Sequence, residues 1–308
     1  MIFLLFPGQG SQKPGMAKDL VAAFPAAREA FDRADAALGT KLSALCFEGP
    51  AEELTLTHNA QPALLAHGAA VWAVVKDKVS AKLQGAAGHS LGEFSAYHAA
   101  GALPLEDAIR LVRRRGELMF ETGVQVPGAM AAILGELQRP IEEICREAGT
   151  LGVCVPANYN NTEQIVISGE VAAIEAAMEL AKAAGAKRAL RLPVSGAFHS
   201  PLMQPAAAGL GEALRAAQWR DPSVPVWSNV TAEAVGDAAT ARELLLRQLT
   251  SPVRWVEVVR NVAARFPGTT FVEMGPGAVL SGLVKRLAPD CRTMTCGTVA
   301  EVEALLSL

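Results

Sequence analysis

Gly88-His89-Ser90-Leu91-Gly92-Glu93 is a Gly-x-Ser-x-Gly stretch. A serine between two glycines at this spacing suits a sharp strand-to-helix turn that pushes its hydroxyl into the open. The glycines accept the crowding and backbone strain of such a turn. The amide of Leu91, at the head of the following helix, would then face any oxyanion formed at Ser90. Glycine and serine are common, so the stretch alone fits an ordinary loop serine equally well.

An exposed serine becomes a nucleophile only with a base. The histidines are His58, His67, His89, His98 and His199. His67 lies within an Ala/Leu-rich helical stretch and reads as a packed core residue. His89 is pinned beside Ser90 and reads as structural, and His98 fits either core or surface. His199 follows a strand and a Ser195-Gly196 turn and precedes Ser200-Pro201, a good N-cap and N1 pair. A ring beside a positive helix terminus is held neutral, as a base requires, although a structural role stays open. Between Ser90 and His199 the only aspartate is Asp107. A third acid is therefore poorly supported, and a Ser-His dyad oriented by a backbone group fits better.

Arg115 completes the apolar stripe Ala108, Leu111, Val112, Leu118 and Met119 of a helix over Leu105 to Phe120. A guanidinium there keeps its proton and needs an anion. An internal carboxylate or a substrate carboxylate gripped by its planar fork would serve. Gln9, in Pro7-Gly8-Gln9-Gly10-Ser11-Gln12, could add a second amide to an oxyanion hole, or the glycines could merely make a turn. Neither a dinucleotide fingerprint nor a P-loop is present, because the third glycine and a Gly-Lys-Ser/Thr are missing.

These residues need a scaffold. The chain has 308 residues, 51% hydrophobic and 19% charged, enough for one large domain with a smaller insertion. The net charge of -3 argues against a nucleic-acid partner. The run Met1 to Phe6 reads as a buried first strand, being too short and insufficiently basic for a signal peptide. No stretch is long enough to span a membrane. Five scattered cysteines without a CxxC pair indicate reduced thiols in a cytoplasmic protein, and dispersed histidines argue against a metal. Helices are expected over Met16 to Leu38, Gln61 to Val75 and Phe94 to Ala100, with Leu83 to Gly88 as the strand leading into Ser90. The alternation predicts a parallel α/β core. From Gly128 the order becomes β-α-β-β-α-β, ending in a strand over Lys187 to Val194, which is the ferredoxin-like split unit. The expected organisation is an α/β-hydrolase-like core of residues 1–127 and 195–308, with a ferredoxin-like subdomain, 128–194, inserted. A strand at Thr270 to Met274, a Gly275-Pro276-Gly277 turn and a helix through Leu287 close the core.

Several stretches together resemble the malonyl-CoA:acyl carrier protein transacylases of fatty acid synthesis and the related acyltransferase domains of polyketide synthases. They include Phe6-Pro7-Gly8-Gln9-Gly10-Ser11-Gln12, Gln61-Pro62-Ala63-Leu64, the stretch around Ser90, Arg115-Gly116, Phe198-His199-Ser200, Arg247-Gln248-Leu249 and Glu273-Met274-Gly275-Pro276-Gly277. The resemblance covers nearly the whole chain. It implies Ser90 as the malonyl-bearing nucleophile, His199 as base and later acid, and Arg115 as the carboxylate clamp. The amides of Gln9 and Leu91 would form the oxyanion hole, with Gln61 among the substrate-binding residues. Gln248 would orient His199 through its backbone carbonyl, so that its side chain matters little. Phe198 matches the malonyl-type pattern that disfavours a methyl-branched extender. Tyr97-His98 and Gly196-Ala197 depart from the usual residues and bear on fine selectivity.

The resemblance implies ping-pong transfer from malonyl-CoA to the phosphopantetheine thiol of an acidic acyl carrier protein, with no metal or redox cofactor. Lys187, Arg188, Arg191, Lys285 and Arg286 are candidate carrier contacts, and a monomer is expected. The alternatives are a trans-acting polyketide acyltransferase, a serine thioesterase or hydrolase, and a non-catalytic member of an acyltransferase assembly.

Overall fold

The computed structural model describes residues 1–308 as two sheets with helices packed around them. The larger sheet begins with β1 (Ile2–Phe6), whose five apolar residues are all buried. β1 lies between β2 (Leu83–Gly88) and a later strand, parallel to both. Its residues alternate between two cores, as period-two geometry requires. Ile2, Leu4 and Phe6 face the helices of the first half of the chain. Phe3 and Leu5 face Trp227, Trp255 and the C-terminal helices. Burial on both faces is the condition under which a parallel strand reads as a continuous apolar run.

The small residues of β2 have a packing reason. A Cβ on Gly85 would come within 2.8 Å of the Trp227 ring and 2.9 Å of the Phe3 ring. Those two rings meet edge to face, centroids 5.2 Å apart.

The smaller sheet contains β3 (Ala129–Leu134), β4 (Cys154–Asn161), β5 (Gln164–Gly169) and β6 (Arg188–Arg191), all pairing antiparallel in the order β4-β5-β3-β6. With helices Ile141–Ala148 and Val171–Ala183 it follows the expected β-α-β-β-α-β order. Ala131, Ile133 and Ile167 pack on those two helices, while Met130, Ala132 and Val166 face the main core. β7 (Val226–Trp227), β8 (Ala234–Val235), β9 (Thr270–Met274) and β10 (Arg292–Cys296) complete the larger sheet, in the order β10-β9-β1-β2-β7-β8. Only β8 runs antiparallel in it. The α/β class expected from the sequence is the one observed.

Local boundaries differ from expectation. The stretch Met16 to Leu38 is not one helix but two, Lys18–Ala23 and Pro25–Leu38, because Phe24 is extended ahead of Pro25. The helix expected from Gln61 begins earlier, at Thr57, and runs to Val79 with Pro62 inside it. β6 stops at Arg191, so Leu192 to Val194 is irregular chain.

Candidate active site

β1 and β2 end side by side, with Phe6 paired to Gly88. The chain beyond β2 turns so tightly that a Cβ on Gly88 would lie 1.9 Å from the Gly92 carbonyl. One on Gly92 would lie 2.1 Å from the Phe6 oxygen. Both glycines are therefore sterically required, and Ser90 between them sits in the left-handed region at φ 53°. Helix Gly92–Ala99 begins immediately afterwards.

The Ser90 hydroxyl has two partners. It lies 2.8 Å from His199 Nε2 and accepts a bond from Arg115 Nη2 at 3.0 Å. His199 is buried and also left-handed, at φ 57°. Its Nδ1 faces the carbonyls of Gln248 at 2.9 Å and Ser251 at 3.2 Å. Those oxygens can only accept, so they fix the proton on Nδ1 and leave Nε2 as the acceptor toward Ser90. No carboxylate takes part. Asp107 instead binds Arg110 and the Gln218 amide.

Burial pushes the His199 pKa down to about 3, and the Arg115 charge pushes in the same direction. This is a different cause from the helix terminus inferred from sequence. The segment after His199 is a three-residue 3-10 turn, Pro201–Met203, with Ser200 as its cap.

Arg115 is 1% exposed on helix Leu105–Gln125. Gly116 allows that helix to approach closely, since a Cβ there would lie 2.6 Å from His58 Cα. Arg115 Nη1 donates to Gln61 Oε1 at 2.8 Å and Nη2 to Gln248 Oε1 at 2.9 Å. The guanidinium also sits 5.6 Å from the Phe94 ring centroid. It forms no ion pair, and its Nε has no partner. Burial holds its pKa down at about 10, so it stays charged at neutral pH. The cation's hydrogen-bond partners are thus neutral amides and a hydroxyl, with the Glu93 carboxyl close enough to favour its charge without bonding to it.

The Gln248 side chain corrects an expectation. Besides its backbone carbonyl on His199, its Nε2 donates to the Ser90 carbonyl at 3.0 Å and to Glu93 Oε2 at 2.7 Å. The side chain is fully buried and joins clamp and elbow, while the backbone carbonyl holds the base.

Three site residues were missed from sequence. Asn229, just beyond β7, accepts from the Ser90 amide at 2.7 Å and donates to the Gly88 carbonyl at 2.8 Å, clamping the elbow from outside. Glu93 accepts from the Asn229 amide at 3.0 Å. A carboxylate directly after the second elbow glycine, on a helix with no other Asp, Glu, Lys or Arg, was the available signal for it. Asn160 on β4 meets His89 Nε2 at 2.8 Å, tying the smaller sheet to the elbow. His67 and His98 bind the carbonyls of Gly297 and Leu103.

Gln9, Gln61, Leu91, Arg115, Phe198 and His199 all line a cleft of about 240 Å³ containing Ser90. Met130, Asn158 and Leu192 to Val194 close its other side. The amides of Gln9 and Leu91 donate to no other backbone group. Lys187, Arg188, Arg191, Lys285 and Arg286 are all exposed, and Arg191 and Arg286 pair with Glu175 and Glu163. The five cysteines are free thiols. No three His, Cys, Asp or Glu side chains converge as a metal cluster would, and no helix is long and apolar enough to cross a membrane.

Residues 3–301 match the family described as acyl transferase domain. The malonyl CoA-acyl carrier protein transacylase of Bacillus subtilis is 50% identical over 303 residues, covering 98% of this chain and 95% of that protein. The crystal structure of an acyl-carrier-protein S-malonyltransferase from Bartonella henselae superposes with a TM-score of 0.95 at 45% identity, covering 100% of this chain and 99% of the other. A malonyl-transacylase solved in complex with its type II polyketide synthase acyl-carrier protein superposes with a TM-score of 0.94 at 42% identity, covering 99% of both chains.

Proposed function

The chain belongs to the acyl transferase domain family, and we propose that it moves malonyl from malonyl-CoA to the phosphopantetheine thiol of acyl carrier protein. Fatty acid synthesis is the pathway it serves. The observation that carries this reading is the contact of one serine hydroxyl with both a neutral buried histidine and a buried guanidinium that has no carboxylate partner. A hydrolase acting on neutral acyl groups has no use for that cation. An acyl group bearing its own carboxylate supplies the missing anion.

The reaction runs as two acyl transfers. His199 Nε2 takes the Ser90 proton as Oγ attacks the thioester carbon. The oxyanion that forms is stabilised by the amides of Gln9 and Leu91. Collapse breaks the C–S bond, and the leaving coenzyme A sulfur takes the proton from His199. The malonyl ester stays on Ser90 with its carboxylate on Arg115. In the second half the carrier thiol gives its proton to His199 and attacks the ester, and Ser90 leaves with that proton. Neither half calls on a metal or redox cofactor. In this reading residues 128–194 form a subdomain over the cleft of the larger unit, 1–127 with 195–308. The protein acts as a cytoplasmic monomer, and the exposed bases named above are its carrier contacts. The site roles rest on the distances given and on the family's motifs.

Incubation with malonyl-CoA followed by mass spectrometry tests the reading. A malonyl adduct on Ser90 that is discharged by holo carrier protein is expected. An unmodified serine, or discharge to water at the same rate without carrier, would sink it. The polyketide carrier bound to the relative described above favours one second reading, service to a polyketide line in trans. Transfer rates to fatty acid and polyketide carriers distinguish the two.

A further inference from the structure

Glu93 is fully buried three residues after the nucleophile, on the first turn of helix Gly92–Ala99. A carboxylate there would ordinarily cap its own helix. This one does not. Its Oε2 accepts from the Asn229 amide and from Gln248 Nε2, at 3.0 and 2.7 Å, and its Oε1 has no partner. Leaving a carboxylate oxygen buried and unsatisfied costs stability, so the bonds on the other oxygen need a reason.

Gln248 provides it. A carboxamide presents an acceptor on one side and donors on the other, and nothing intrinsic selects which side faces a neighbour. Here Oε1 must face Arg115 Nη2, because the reversed amide would set an NH2 group against the guanidinium. Around Nε2 stand three acceptors: Glu93 Oε2 at 2.7 Å, the Ser90 carbonyl at 3.0 Å and Asn229 Oδ1 at 3.5 Å. The shortest of these bonds, and the only one to an acidic group, is to Glu93. Burial raises the Glu93 pKa to about 7, and a proton taken up there falls on the unpartnered Oε1, so Oε2 accepts this bond in either state.

We propose that Glu93 is a positioning residue for the carboxylate clamp: its Oε2 holds the Gln248 carboxamide with Oε1 toward Arg115, which sets the guanidinium beside the Ser90 hydroxyl. The proposal rests on the malonyl-transfer reading. Glu93 itself touches no substrate. Its loss should therefore be felt where Arg115 is used, in recognition of a charged acyl group, and little in the acylation of Ser90 by a neutral one.

The test measures loading of Ser90 from malonyl-CoA and from acetyl-CoA in the full chain. Glu93→Ala is expected to lower the malonyl-to-acetyl ratio of kcat/KM on the order of tenfold, the range of one coupling energy between network neighbours. Glu93→Gln keeps a side-chain carbonyl that can accept both bonds and is expected to restore most of the ratio. Glu93→Ala combined with Gln248→Ala should be no less selective than Gln248→Ala alone. Glu93→Asp, which withdraws the oxygens by one methylene, carries the test if the alanine variant does not fold, and a smaller selective loss is expected. A parallel fall for both substrates, Glu93→Gln behaving like Glu93→Ala, or additive losses in the double variant would overturn the assignment. A wild-type chain that fails to take malonyl would instead sink the reading beneath it.

Discussion

Arg115 Nη2 donates to Ser90 Oγ at 3.0 Å, so the charge that would hold the acyl carboxylate already rests on the atom that would attack it. Clamp and nucleophile are one hydrogen bond apart. Replacing Arg115 with alanine should lower malonyl loading by about 10–100-fold, the worth of a charge-assisted bond. Acetyl loading should be spared or improved. Malonyl loading that survives Arg115→Ala unchanged would remove the clamp from the mechanism.

The base should work in acid. A histidine with an ordinary pKa near 6.5 loses its basic form below about pH 6. His199, held at about 3 first by burial and then by Arg115, stays neutral far below that. The kcat/KM for loading, which reports the free enzyme, should stay flat from pH 8 down to about pH 5. A fall centred near pH 6.5 would show that the ring is not shielded. Replacing His199 with alanine should cost about 10²–10⁴-fold in loading rate.

The elbow is strained by design. Ser90→Ala and Ser90→Gly lose the same two hydroxyl contacts, and neither should accept malonyl. They differ at φ 53°, where glycine is relaxed and alanine is not. The glycine variant should be the more stable of the two by about 1 kcal/mol in urea denaturation. Equal midpoints would mean that the turn stores no strain.

Gly92→Ala should be worse than either. Its methyl would sit 2.1 Å from the Phe6 carbonyl, backbone against backbone at the junction of β1 and the elbow helix. The expected cost is about 3 kcal/mol or more, since overpacking against main chain has no side chain to move aside. Wild-type stability in this variant would require the elbow to open by more than an ångström.

Stability near the core histidine His67 should fall in acid. Burial lowers its pKa to about 4, below the unfolded value of about 6.5, while its Nε2 binds the Gly297 carbonyl. The unfolded chain therefore binds the proton first. The contribution of the neutral ring is complete above pH 6.5 and is lost as pH falls toward 4. His67→Gln should lose less stability than wild type between pH 7 and pH 4.5, as judged by thermal unfolding. Parallel losses in the two proteins would remove His67 as the cause.

Much of the fold was legible because its signals are local. The apolar run Ile2 to Phe6 becomes β1, and the β-α-β-β-α-β order around β3 to β6 follows from periodicity. Boundaries were less legible where a short range decided them. Phe24 breaks one expected helix in two, and β6 ends three residues early so that Leu192 to Val194 can line the cleft. Arg115 announced itself as a charge on an apolar stripe, but its partners did not. Gln61 and Gln248 meet it from positions 54 and 133 residues away in the chain.

The available chemistry was already present in the sequence: a serine between two glycines at elbow spacing, a histidine without an aspartate, and an arginine in the wrong place for solvent. Those follow from residue type and spacing, which act over a few residues. How the groups serve one another was set by the packing. It set both Gln248 and Ser251 carbonyls on His199, left Arg115 without a carboxylate, and put the Gln248 side chain between Arg115 and Glu93. The physical reason is that a buried polar group must be satisfied by whatever the packing brings to it. That depends on which strand ends and helix starts converge at the cleft, a property no local pattern encodes.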